Sequence, residues 1–212
     1  MSAASKGRPA ARTASSTATA GRTATRRGPV TVGKAVPDFS LPSTGGAIWR
    51  LRDARGHKLV LYFYPRDNTP GCTLEGRQFA ALAPRFERAG VTIVGISRDS
   101  VASHEKFRAQ MAFPFALLSD ADSLVCNRFD VIREKNMYGR KVMGIERSTF
   151  LLDARGILRH QWRKLKVDGH ALEVLFIIAD DAENDLARIV PGNLDAGPRV
   201  RATPHQEAGE RL

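Results

Sequence analysis

The chain has 212 residues, 42% hydrophobic and 26% charged, a globular mix with room for one ordinary domain and free ends. No apolar run nears the roughly 20 residues that cross a bilayer, and two cysteines exclude a disulfide-dense secreted scaffold and a four-thiolate zinc site. The net charge of +11 is uneven: Lys6, Arg8, Arg12, Arg22, Arg26 and Arg27 put six cations and no acid into the first 30 residues, leaving the rest only mildly basic.

Residues 1–30 are built mainly from Ala, Ser, Thr, Gly and Arg, with no aromatic or large aliphatic side chain from residue 2 to residue 29. Such a segment buries too little apolar surface to offset the entropy of ordering, so a disordered basic tail is expected. It has no continuous apolar stretch of the secretory kind. A solvated extension is the plainest reading; a transit peptide, a nucleic-acid-binding arm and a membrane-surface tether stay open. Residues 31–190 are expected to form the folded domain, and residues 191–212, rich in Gly, Pro and charge, a flexible tail.

Along the domain, residues 39–42, a Gly45-Gly46 turn and residues 47–51 predict a short β-hairpin. Residues 58–64 (KLVLYFY) are a continuous apolar run, the mark of a strand buried on both faces. From Cys72 the pattern turns helical, with Leu74, Phe79, Leu82 and Phe86 near 3.6 spacing until Gly90. Residues 91–96 predict a second buried strand. Ser100 or Ser103 is placed to cap a helix reaching about Met111, and residues 115–118 predict another strand. Asp120 or Asp122 is placed to cap a helix holding Leu124, Val125, Cys126 and Phe129. Residues 148–153 and 157–162 predict a hairpin around Arg155-Gly156, and a last amphipathic helix opens at Asp168-Gly169-His170. The order β-β-β-α-β-α-β-α-β-β-α gives an α/β fold: a thioredoxin-like central mixed sheet flanked by helices, with an N-terminal β-hairpin extension.

The chemistry concentrates in YFYPRDNTPGCT, residues 62–73. This segment carries a cysteine from the end of a buried strand, through a Pro-Gly turn, to the first turn of a helix. A helix N-terminus offers unpaired N–H groups and a partial positive charge, which favour a thiolate over a thiol. Thr69 can place a hydroxyl near the sulfur, Pro65 restricts the backbone and shields it, and Gly71 permits close approach. By composition alone Cys72 could equally be a buried structural thiol.

The segment resembles the active-site loop of the peroxiredoxins, P-x-x-x-[TS]-x-x-C, met by Pro65, Thr69 and Cys72. Within that family it is similar to the bacterioferritin-comigratory or PrxQ branch. The resemblance runs from about residue 33 to 182, through DFSLP, VGIS, PFALLSDAD and GIERSTFLLD. It implies a thiol-specific peroxidase that reduces hydrogen peroxide and organic hydroperoxides through a cysteine sulfenic acid, recycled by thioredoxin or a similar thiol. Carried over residue by residue, Cys72 is the nucleophile, Thr69 orients the peroxide, and backbone near Gly71 and Cys72 holds its other oxygen. Arg147, in GIERSTFLLD, matches the family's arginine, whose fixed fork of donors suits thiolate and leaving oxygen. Glu75, one turn on, is read either as an ion-pair partner of that arginine or as a simple helix-start carboxylate.

Many members of this branch carry a resolving cysteine five residues after the nucleophile; here that position is Arg77. Cys126 is the other thiol, expected as a core residue rather than the resolver, so a one-Cys mechanism is the expectation. The family resemblance and the few reduced cysteines imply a monomer in the cytoplasm, or an organelle if residues 1–30 are a transit peptide. The five histidines lack metal-ligand spacing, and neither metal nor cofactor is expected. His104 and His170 read as helix-start or surface residues, Trp49 and Trp162 as packing. GRKVMG and residues 163–166 read as solvated faces. A disulfide reductase is disfavoured because C-x-x-C is missing. A basic-tailed nucleic-acid-associated protein with a thioredoxin-like domain is the alternative, with nucleic acid bound only through the tail.

Overall fold

The computed structural model describes residues 28–137 and 140–189, so the expectations for residues 1–27 and 190–212 lie outside the described residues. Strands β1 (Ser40–Pro42) and β2 (Ile48–Arg50) form the expected hairpin, followed by a short 3-10 helix, Leu51–Ala54. The central sheet joins β3 (Lys58–Phe63), β4 (Val91–Ser97), β5 (Ala116–Ser119), β8 (Ser148–Leu152) and β9 (Leu158–Arg163) in the order β5-β4-β3-β8-β9. Its β5, β4 and β3 run parallel, whereas β8 runs antiparallel to both of its neighbours, β3 and β9, which makes the sheet mixed as expected. Helices α1 (Pro70–Arg88), α2 (Val101–Met111), α3 (Leu124–Arg128) and α4 (His170–Ile189) complete the domain.

Alternation along β3 sorts two cores. Leu59, Leu61 and Phe63 face a cluster containing Cys126, Phe129 and Phe150; Val60 and Tyr62 face another containing Cys72, Phe79, Phe86 and Phe107. Helices α1 and α4 pack on the second face, with Val174, Leu175 and Ile178 of α4 in the same cluster. The chain before the sheet seals both edges. Residues around Gly33 bond to β9 (Gly33 N–H to Leu158 O, 2.8 Å), while Thr44 N–H donates to Leu117 O on β5 at 3.0 Å.

Some boundaries differ from the sequence reading. Helix α1 starts at Pro70, two residues before Cys72, because Pro at the first helical position has a fixed φ and lacks an N–H that would stay unpaired there. The N-cap of α3 is Ser123, at φ +60°, yet Asp120 and Asp122 do take up its first N–H groups: Asp120 accepts from Val125 and Cys126, and Asp122 from Leu124. A hairpin not anticipated from sequence, β6 (Ile132–Met137) with β7 (Arg140–Ile145), stands apart from the main sheet. Its base is closed by Glu146 N–H donating to Val131 O at 2.7 Å. GRKVMG lies largely in β7, where Lys141, Val142 and Met143 are exposed as a solvated face should be. Arg163 departs from that expectation: it donates to the carbonyls of Phe129 and Asp130 with its guanidinium over the Phe150 ring.

Candidate active site

The loop between β3 and α1 leaves the sheet at Tyr64, whose N–H still bonds to Ile96 O at 3.1 Å. Asn68 takes a left-handed turn (φ +56°), Thr69 is the extended N-cap, and Pro70, Gly71 and Cys72 form the first turn of α1. The Thr69 side chain makes no cap bond; its hydroxyl donates to Arg66 O at 3.1 Å. The first backbone N–H groups of α1 thus lack the side-chain acceptor that usually covers a helix start. Cys72 itself is only 2% exposed.

Arg147 arrives from the far side. It sits between the unanticipated β6–β7 hairpin and β8, and Arg98 helps fix that hairpin by donating to Met143 O at 3.1 Å. Its Nη2 lies 3.2 Å from Cys72 Sγ, and its Nη1 pairs closely with Glu75 Oε2. A Cβ on Gly71 would come within 3.2 Å of Arg147 Nη2, tighter than ordinary contact. Glycine at this position therefore leaves room for the guanidinium to reach the sulfur. Burial works against the Arg147 charge, but Glu75 and Cys72 more than offset it and hold its pKa above the ordinary value. Burial pushes the Glu75 carboxyl up to about 7, with Arg147 pulling back only part of that rise.

Of the residues singled out from sequence, Cys72, Gly71, Arg147 and Glu75 converge, with Thr69 and Pro65 in the loop that leads to them. Glu75 is the ion-pair partner of Arg147, not a solvated carboxylate. Cys126 does not join them. It is fully buried in the cluster on the opposite face of the sheet, and burial followed by the neighbouring Asp120 carboxylate pushes its thiol far up. Both cysteines are free.

His170 opens α4 and His104 lies in the first turn of α2, as the helix-start reading has it, but neither is at the surface. His104 is wholly buried, bonded to Asp67 and to Leu118 O, and His170 is 2% exposed with Nε2 2.9 Å from Thr149 Oγ1. Burial lowers the His170 pKa, with Glu173 opposing. Helical position alone could not reveal either, since their partners come from other elements. Trp49 and Trp162 pack as expected, against Phe39 and His170. Among the described residues, no group of His, Cys, Asp and Glu is arranged to hold a metal ion, and no helix is long and apolar enough to cross a membrane.

Residues 32–161 match the AhpC/TSA family. The chain is 56% identical over 138 residues to peroxiredoxin Bcp of Xanthomonas campestris, covering 65% of this chain and 86% of that protein. It is 41% identical over 154 residues to peroxiredoxin Bcp of Bacillus subtilis, covering 73% and 98%. Among solved structures, bacterioferritin comigratory protein of X. campestris, studied for alkyl peroxide reduction, superposes with TM-score 0.65 at 53% identity, covering 68% of this chain and 92% of that one. PrxQ of Xylella fastidiosa gives TM-score 0.69 at 44% identity, covering 72% and 98%. With its thioredoxin-like sheet and a cysteine set under an arginine at a helix start, the chain belongs to the AhpC/TSA family, in its Bcp/PrxQ peroxiredoxin branch, and is a thiol peroxidase.

Proposed function

We propose that Cys72 is the peroxidatic nucleophile and that the enzyme reduces hydrogen peroxide and organic hydroperoxides by a one-Cys route. The Cys72 thiolate attacks one peroxide oxygen along the O–O axis. The S–O bond forms as O–O breaks, and the leaving oxygen takes a proton to become water or an alcohol, with Cys72 left as sulfenic acid. An external thiol then displaces hydroxide from that sulfur, which leaves with a proton as water, and a second thiol frees Cys72 by thiol–disulfide exchange. Thioredoxin or a comparable thiol fills this role in the resemblance.

The observation that carries this reading is the Arg147 guanidinium 3.2 Å from Cys72 Sγ, backed by Glu75. A fixed cation there stabilises both the thiolate and the charge gathering on the leaving oxygen. Thr69 has committed its proton to Arg66 O, so its oxygen is left to accept a hydrogen bond from the peroxide. The open N–H groups of Gly71 and Cys72 hold the other peroxide oxygen, and Pro65 shields the loop from water. Arg77 removes the intrahelical resolver and Cys126 lies across the sheet, which supports the external thiol. The same reading takes the enzyme to be monomeric and to work in the reducing cytoplasm.

Mass spectrometry after one equivalent of peroxide tests it. Cys72→Ser abolishes turnover, whereas Cys126→Ser forms sulfenic acid at Cys72 and keeps nearly full turnover with an external dithiol. Loss of turnover in Cys126→Ser, with a Cys72–Cys126 disulfide in the wild type, would overturn the one-Cys route.

A further inference from the structure

A buried polar network outside the Cys72–Arg147–Glu75 cluster ties the same loop to α2. Asp67 lies two residues before Thr69 and five before Cys72. Its side chain is 3% exposed, and its carboxylate accepts from Tyr64 Oη at 2.8 Å, Ser103 Oγ at 2.7 Å and His104 Nδ1 at 2.9 Å. Its N–H donates to Asp99 Oδ2 at 2.9 Å, and Asp99 is held in turn by Ser97 Oγ at 2.7 Å. Burial raises the Asp67 carboxyl, but His104, Ser103 and Tyr64 more than offset this and hold it below its ordinary value. The fully buried His104 ring faces two oxygens that can only accept: the ionised carboxylate through Nδ1 and Leu118 O, at 3.1 Å, through Nε2. Every strong bond of Asp67 therefore runs to Tyr64 just past the end of β3, to the β4–α2 connection or to α2, and none runs to the reacting groups.

Peroxide is small enough to reach a sulfur that is 2% exposed, but the thiol of a protein is not. The loop must be held shut for one half of the cycle and released for the other. We propose that Asp67 and His104 are positioning residues that clasp the 65–72 loop to α2, setting Thr69 and Cys72 for peroxide and yielding before a protein thiol can reach the sulfur. This rests on the reading of Cys72 as nucleophile. Side-chain chemistry separates the two bonds of His104: the amide of His104→Asn can stand in for Nδ1 and keep Asp67, whereas that of His104→Gln can stand in for Nε2 and keep only Leu118 O.

Stopped-flow measurement on the full chain separates the half-reactions, first with hydrogen peroxide and then with reduced thioredoxin added to preformed sulfenate. In His104→Gln the peroxide step slows by about tenfold, the effect of one lost hydrogen bond to a charged group, and the reduction step quickens. His104→Asn recovers most of the peroxide rate. Ser103→Ala, which removes one donor at a part-buried site, shifts both steps in the same directions as His104→Gln but less, and serves if the histidine variants fold poorly. Amide deuterium exchange over residues 65–72 rises in His104→Gln and Ser103→Ala and returns toward wild type in His104→Asn. Parallel slowing of both steps, equal behaviour of the Asn and Gln variants, or unchanged rates in Ser103→Ala overturn the clasp. A wild type that forms no sulfenate at Cys72 overturns instead the reading on which it rests.

Discussion

Glu75 is an acid buried where an acid is costly. It is 1% exposed, one oxygen meets Arg147, and Oε1 has no hydrogen-bond partner among the described residues. Burial lifts its carboxyl from 4.5 to about 7, so the folded protein binds this proton more tightly than the unfolded chain does. The stability linked to that proton is complete below about pH 4.5, declines as pH rises from there, and is gone above about 7. Glu75→Gln keeps the shape and an acceptor for Arg147 but removes the ionisation. Urea unfolding between pH 4.5 and 8 should show wild-type stability falling more steeply than that of Glu75→Gln, by on the order of 3 kcal/mol across the window. Parallel curves would show that Arg147 keeps Glu75 ionised throughout.

Helix α1 does two jobs, presenting Cys72 at its start and closing one face of the sheet with Phe79 and Phe86. Between them sits Gly76, an unfavourable residue for a helix interior by about 1 kcal/mol relative to Ala. A Cβ there would lie 2.4 Å from Phe113 Cζ. Phe113 cannot swing aside, being stacked on Phe115 at 5.3 Å and edge-on to Phe107 at 5.1 Å. Gly76→Ala therefore destabilises despite its better propensity, by roughly 2 kcal/mol, as overpacking does; a neutral or raised urea midpoint would refute this. The residues that reveal themselves in sequence are those whose signal is local. Strands β3 and β4 show as unbroken apolar runs, and Pro65, Thr69 and Cys72 as a loop motif. The β6–β7 hairpin carries IREKNM along one strand, with no apolar alternation, because it stands off the main sheet; among its described side chains, Ile145 is buried at the base and Ile132 packs partly against the core. Its absence from the sequence reading hid what delivers Arg147, although the motif around Arg147 was legible. His104 was missed for a related reason. Its helix position is ordinary, and the acceptors that make it a buried donor, Asp67 37 residues earlier and Leu118 O on β5, come from other elements.

Across the whole molecule, the central sheet acts as a partition between two thiols. Cys72 sits at a helix start among loop bonds, where opening needs only the 65–72 segment to leave its place. Cys126 is packed with Phe63, Phe129 and Phe150 on the other face, and its N–H donates to the buried Asp120 carboxylate. Reaching its sulfur means separating α3 from the sheet and dismantling the Phe63–Phe129–Phe150 cluster, whose rings lie 4.8 to 5.5 Å apart. Local openings occur at free energies far below that of global unfolding, which for a domain of this kind is about 5–15 kcal/mol. Alkylation of the native protein should then proceed on two separate timescales. Cys72 is labelled at a rate insensitive to low urea, whereas Cys126 is labelled at least about a thousandfold more slowly, at a rate that climbs with urea along the global unfolding curve. Comparable rates, resolved by peptide mass spectrometry, would mean that α3 opens on its own. Cys126 could then reach a partner thiol without unfolding of the whole domain.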